Sequence, residues 1–196
     1  MIIYPSAKIF AIEPVTIFFE CLKNLGDARV IPINIMIAKT QKSIYEIDGG
    51  GTSYPHENLL YSTRKSKKKH NPLSKTGDDL IFELSIAPDF IKVDTDGSDY
   101  EILQTLENTL KRRRPMIQFE FSYRFAYKAG YTLKDNINYL KKLGYTAYVI
   151  DNNSALRKIL VPRLEVLNHQ TKNFLAFPDE ISDITRYLVK KYRSLN

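Results

Sequence analysis

Residues 89–103, Asp-Phe-Ile-Lys-Val-Asp-Thr-Asp-Gly-Ser-Asp-Tyr-Glu-Ile-Leu, constrain the fold of this chain more than any other stretch. An apolar run ends in two carboxylates and a glycine, and a helix starts at once. Phe90, Ile91 and Val93 suit a buried strand, Gly97 permits a tight turn, and Ser98 with Glu101 has the spacing of a capping box that opens a helix. Asp94 and Asp96 therefore fall at the carboxyl end of a strand, where open α/β sheets bind their ligands.

The rest of the chain alternates in the same way. Residues 7–13 read as a short buried strand closed by Pro14, which suits the first turn of a helix running through Phe18, Phe19 and Leu22 to a stop at Gly26. Residues 29–37, rich in Val and Ile, read as the next strand, which makes the first three elements a βαβ unit, and residues 43–47 extend the edge of the same sheet. Residues 48–76 show little periodicity and predict a long exposed basic loop. A helix over 98–110 follows the central strand and ends in Lys111, Arg112, Arg113 and Arg114, where a helix C-terminus favours positive charge.

In residues 116–121 Ile117, Phe119 and Phe121 face one way and Gln118 and Glu120 the other. Thr132 and Asp135 cap a helix through Ile137, Leu140 and Leu143 that stops at Gly144, and residues 146–150 return as a strand. A last apolar segment at 174–177 precedes a terminal helix that Ser182 caps. Strands alternating with helices indicate an α/β sheet with parallel elements. A length of 196 residues with 43% hydrophobic content fits one domain, 1–196, with an ordinary core.

Bulk charge narrows the partners without naming one. The formal net charge of +7 favours anionic molecules, and the basic runs 64–70 and 111–114 are the stretches a nucleic acid would use. The single cysteine, Cys21, rules out an internal disulfide framework, and its neighbours Phe18, Phe19 and Leu22 predict a buried, inert thiol in a reduced, cytoplasmic protein. No apolar run approaches the roughly 20 residues needed to cross a bilayer, and the N-terminus lacks the pattern of an export signal.

Each candidate residue has a functional and a structural reading. Glu13 ends a strand just before a helix, a position from which a carboxylate accepts the hydroxyls of a nucleoside ribose; it equally complements a helix dipole. Asp94 and Asp96 suit a general base, a binder of a hydroxylated substrate or a holder of a divalent cation, while Asp96 also suits a helix cap. Glu120 joins them in one crevice if its strand neighbours theirs. A calcium loop is excluded, because Asp99 stands where it needs glycine and Thr105 where it needs glutamate. His56, His70 and His169 have no metal-ligand spacing, and the glycines at 49–51 lack the lysine of a phosphate loop. The stretch Tyr123, Arg124, Phe125, Tyr127 and Lys128 is either surface or the cover of a substrate cleft.

Four blocks in order resemble the FkbM-type methyltransferases, a branch of the class I S-adenosylmethionine-dependent enzymes. They are Ile9-Phe-Ala-Ile-Glu-Pro, Thr76-Gly-Asp-Asp-Leu, Ile91-Lys-Val-Asp-Thr-Asp-Gly-Ser-Asp-Tyr-Glu-Ile-Leu, and Arg114-Pro-Met-Ile-Gln-Phe-Glu. Asp96 stands where the family signature has glutamate. The resemblance covers residues 7–151 and leaves 152–196 as an extension. It implies a Rossmann-like, three-layer α/β/α sheet and a methyl donor, S-adenosylmethionine, whose ribose Glu13 holds. It further implies O-methylation of a small-molecule or carbohydrate acceptor, with Asp94 as base and Asp96 and Glu120 as supporting acids; no metal is called for. The family's first strand and its glycine-rich loop would precede Ala7, where six residues stand, so the expectation is a sheet lacking them. Two other readings remain: a truncated, inactive binding or scaffold domain, and a basic nucleic-acid-binding domain.

Overall fold

The computed structural model describes residues 6–47, 51–54, 66–95, 97–150, 156–158 and 171–181. Two compact units divide the chain, residues 1–76 and 77–196. Asp96, Gly49, Gly50, His56, His169, Arg64, Lys65 and the expected terminal helix after residue 181 lie outside the described residues.

The first unit opens with strand β1 (Ile9–Ile12), helix α1 (Thr16–Lys23) and strand β2 (Val30–Ile33), and β1 and β2 pair in parallel, Ile9 opposite Val30 and Ile12 opposite Ile33. The expected βαβ unit is present, but its burial is not. Ile9 and Ile12 are 46% and 40% exposed, because β1 pairs with β2 alone among the described strands. Cys21 is also exposed, contrary to the expectation from its neighbours. The inward stripe of α1 is Val15, Phe19 and Leu22 at helical spacing, and position 21 falls off it.

The strand expected over 29–37 breaks after Ile33 and resumes as β3 (Met36–Ile37), which pairs in parallel with β7 (Ser74–Lys75). Between them, β4 (Ile44–Ile47) sits in the middle of an antiparallel sheet with β5 (Gly51–Tyr54) and β6 (Ser66–His70). Residues 43–47 thus do not extend the first sheet, and 48–76 is not one long loop. A lysine-rich strand gives no propensity signal, yet lysine on an edge strand is a common guard against unwanted pairing, and β6 is such an edge.

The second unit is built on a five-stranded sheet in the order β11-β10-β12-β9-β8, formed by β8 (Phe90–Val93), β9 (Met116–Phe121), β10 (Tyr145–Ile150), β11 (Leu156–Lys158) and β12 (Lys172–Pro178). Only β8 and β9 run parallel, while β12 is antiparallel to both β9 and β10. Alternation along β9 is as read: Ile117, Phe119 and Phe121 are buried, and Phe119 stacks on Phe174 of β12 with centroids 5.1 Å apart.

Four more helices lie between these strands after α2 (Gly77–Glu83): α3 (Asp99–Thr105), α4 (Glu107–Arg112), α5 (Tyr123–Ala129) and α6 (Leu133–Lys142). The capping box on α6 forms as expected: the Asp135 amide donates to the Thr132 hydroxyl, and the Thr132 amide donates to the Asp135 carboxylate at 2.8 Å. Leu133, Ile137 and Leu140 of this helix join the main core with Leu103, Leu106 and Leu110.

The expected single helix over 98–110 is two, broken at Leu106. Asp78 explains where the second begins, since its carboxylate accepts the amides of Asn108 and Thr109, both at 2.9 Å, and the Thr109 hydroxyl at 2.7 Å. Gly77 must be glycine there, because a Cβ would meet Leu106 at 2.5 Å. The Gly-Asp-Asp-Leu block thus has a structural role, capping α4 from outside.

Candidate functional site

The acids singled out in the sequence fall in both units, and each is described in its own. In the second unit, Val93 lies opposite Phe119 in the parallel β8–β9 ladder. Asp94 directly follows β8 and Glu120 is the penultimate residue of β9, so the two carboxylates lie at the carboxyl ends of neighbouring parallel strands. Side chains alternate on a strand, and Glu120 therefore shares the face of Gln118, away from buried Phe119 and Phe121. Asp94 is exposed; one oxygen, Oδ2, accepts from Lys92 Nζ at 2.8 Å. Its other oxygen remains an acceptor.

Behind this edge lies a residue that motif reading passes over. Asp99, the first residue of α3, is 2% exposed. Its Oδ2 accepts from the Thr95 hydroxyl at 3.1 Å and from the Gly97 amide at 3.3 Å, while Oδ1 is buried with no hydrogen-bond partner. Burial pushes its pKa up to about 6; the Gly97 and Thr95 bonds pull against that shift, and the nearby charge of Asp94 adds to it. Ser98 occupies the cap position but makes no side-chain capping bond, so the expected Ser98–Glu101 box does not form. The carboxylate of Asp99 has taken the turn's amide instead. A sequence signal was present: the stripe Leu103, Leu106 and Leu110 continued backwards at helical spacing lands on position 99.

Two aromatic residues close this region. Gly97 has φ +110°, and a Cβ there would meet the Cβ of Phe125 at 2.8 Å, so α5 packs directly on the turn. Tyr131, ahead of α6, lies tilted against Tyr100 with ring centroids 5.3 Å apart and edge-on to Phe121. Burial first, then the charges of Asp99 and Glu120, raise the pKa of its phenol far above the ordinary value. It is a neutral hydroxyl across the working pH range.

In the first unit, Glu13 follows β1 and precedes α1, as read. Its Oε1 accepts from the Val15 amide at 2.8 Å, and its backbone carbonyl accepts from the Asn34 side-chain amide at 2.8 Å. Partial burial raises the carboxyl pKa, with the Val15 amide opposing. Asn34, at the carboxyl end of β2, is a polar residue that strand periodicity alone does not single out. One Glu13 oxygen is thus anchored to the backbone at the start of α1.

Of the cations at 111–114, Lys111 pairs with Glu107 and Arg114 turns inward. Arg114 donates to the carbonyls of Leu143 and Gly144, pairs with Glu180, and lies 4.5 Å over the Tyr145 ring. It does not add to a helix dipole or to a surface for nucleic acid, since its donors are used within the fold. Among the described residues, no group of three metal-ligating side chains gathers and no helix is long and apolar enough to cross a membrane.

A mixed α/β chain with carboxylates at parallel strand ends is the setting of many group-transfer enzymes. The sequence matches the family model described as the methyltransferase FkbM domain over residues 4–147, and the chain belongs to that family. The family is one of methyltransferases with a class I α/β fold, and it implies a methyl donor of the S-adenosylmethionine type. Neither a search of curated proteins nor one of solved structures returned a match.

Proposed function

We propose that this chain is an S-adenosylmethionine-dependent methyltransferase acting on a hydroxyl of a small molecule or sugar, working as one methyltransferase-like domain. The carrying observation is the pair of strand ends at Asp94 and Glu120, adjacent in the parallel β8–β9 ladder beside a turn braced by Asp99. Supporting a Rossmann-like, three-layer arrangement, each unit contains its own parallel βαβ element, β1-α1-β2 and β8-α3-α4-β9.

When bound, the donor supplies an electrophilic methyl group on a positively charged sulfur. Asp94 takes the proton of the acceptor hydroxyl through its unbonded oxygen, while Lys92 fixes the other oxygen. With the donor held there, its methyl group would pass from sulfur to the acceptor oxygen, and the proton taken by Asp94 would leave to solvent. Glu120 orients a neighbouring acceptor hydroxyl, and Asp96 is a second supporting acid. Most of the rate gain in such a displacement comes from alignment, so two carboxylates fixed on rigid strand ends suit it. Glu13 holds the ribose through its second oxygen.

Calorimetry with the demethylated donor, S-adenosylhomocysteine, tests the reading. The whole chain should bind it, and Glu13→Gln should weaken binding about 10- to 100-fold, the loss of one or two hydrogen bonds to a charged acceptor. An absence of heat with folded wild-type protein refutes the proposal.

A further inference from the structure

We propose that Asp99 is the positioning residue of the acceptor turn: its buried carboxylate fixes the backbone that carries Asp94 by accepting hydrogen bonds from Thr95 and Gly97. The effect on catalysis rests on the acceptor-site reading above; the positional claim stands on geometry of its own.

Position 99 belongs to the apolar face of its helix. Leu103, one turn on in α3, is buried, as are Leu106 at the break and Leu110 of α4, and a leucine at 99 would continue them. A carboxylate there is an expensive choice unless its charge is used, because a buried charge opposes folding. It accepts hydrogen bonds from Thr95 and Gly97, which flank the stretch directly after Asp94. Phe125 also presses closely on Gly97, where a Cβ would meet it at 2.8 Å. The turn is therefore held by charge-assisted bonds and by contact with an aromatic residue.

The titratable groups around Asp99 add no compensating cation among the described residues. Asp94 faces it from the end of β8, and Tyr131 from the segment ahead of α6, with Glu120 of β9 acting on Tyr131 in turn. Lys92 is bonded to Asp94. Protonation consequently falls on the partnerless Oδ1 and converts both accepted bonds from charge-assisted to neutral, which weakens each. The turn is tightest when Asp99 is ionised, and the placement of Asp94 depends on that state.

Nuclear magnetic resonance on the whole chain without ligand tests this directly. The Gly97 amide proton should titrate with a midpoint near 6, and the side-chain carboxyl carbon of Asp94 should report an inflection at the same pH. Asp99→Asn should abolish both signals and speed exchange of the Gly97 amide about tenfold, since the neutral acceptor holds it less tightly. Thr95→Val removes one donor while keeping the shape, and it should move the Gly97 midpoint to higher pH. A Gly97 amide that does not titrate, or one that titrates unchanged in Asp99→Asn, overturns the proposal. Calorimetry with S-adenosylhomocysteine on the same samples separates the two ideas: absence of donor binding overturns the methyltransferase reading, while the Gly97 and Asp94 signals still decide the role of Asp99.

Discussion

Exchanging Asp99 for asparagine should remove one component of the pH dependence of stability, and the structure fixes its sign and size. In the folded chain burial raises this carboxyl from 3.8 to about 6, whereas in the unfolded chain it ionises at the ordinary value. Between those two values the native state holds a proton that the unfolded state has released. A raised acid therefore stabilises the fold at low pH and withdraws that contribution as pH climbs through 6. With about 1.4 kcal/mol per unit, a shift of about two units corresponds to roughly 3 kcal/mol. The variant carries an offset of its own, because the new amide nitrogen can occupy the place of partnerless Oδ1, at about 1–3 kcal/mol for a buried unsatisfied donor. That offset does not vary with pH and cancels when wild type and variant are compared along a pH series. Urea unfolding followed by circular dichroism, from about pH 3.5 to about pH 7.5, should show the variant gaining roughly 3 kcal/mol on wild type toward the alkaline end. A flat difference, or one of opposite slope, refutes the reasoning.

Four further substitutions follow from named contacts. Arg114→Ala strips partners from the Leu143 and Gly144 carbonyls and a cation from the Tyr145 ring, and should lower unfolding free energy by about 2–4 kcal/mol. Glu180→Gln should lose less than about 1 kcal/mol, because Glu180 is 54% exposed and water screens the pair; equal losses in denaturation would contradict this division. Gly97→Ala combines a positive φ with the Phe125 contact and should destabilise by about 2–5 kcal/mol, a figure that urea titration can check. Thr132→Ala deletes the acceptor for the Asp135 amide and should cost about 1 kcal/mol in the same assay.

What was legible in the sequence is what depends on neighbours along the chain. The alternation of β9 and the capping box of α6 each arise within a few residues and form where expected, while the handover after Glu13 forms with Pro14 two residues ahead of the helix and not in its first turn. Strand partners are a different matter, since pairing depends on backbone groups distant in sequence. Nothing near Met36 or Ile37 announces Ser74 and Lys75 as partners, and nothing in 66–70 announces a strand except that β4 is there to pair with it. Cys21 was misplaced for a related reason: three apolar neighbours were counted, whereas burial follows the stripe through Val15, Phe19 and Leu22. At the candidate site, Asp94 and Glu120 could be placed at strand ends from local pattern, but their adjacency waited on the β8–β9 pairing. Asp99 was hidden by its own residue type, because an acid in the first turn of a helix reads as a solvated partner of the dipole.

That disguise bears on how the site is built. A chain selected only for stability would place an apolar residue at 99, continuing the face of Leu103, Leu106 and Leu110, and would lose no charge hydration there. The preceding turn would then have to find other acceptors for the Gly97 amide and the Thr95 hydroxyl, and Ser98, whose side chain makes no capping bond, does not supply one. Local pattern and chemistry disagree at this one position of the face, and it adjoins the residues from 94 to 97 that the functional reading needs. Elsewhere the same helix pair follows the ordinary rules, with its second member capped by Asp78 and its leucines buried. A departure confined to the segment carrying Asp94 is better explained by the demands of that segment than by a general looseness of the fold. The destabilisation expected of ionised Asp99 at neutral pH comes from its burial and the order of the turn from its hydrogen bonds, but both depend on the same charge, and both should disappear together when that charge is removed.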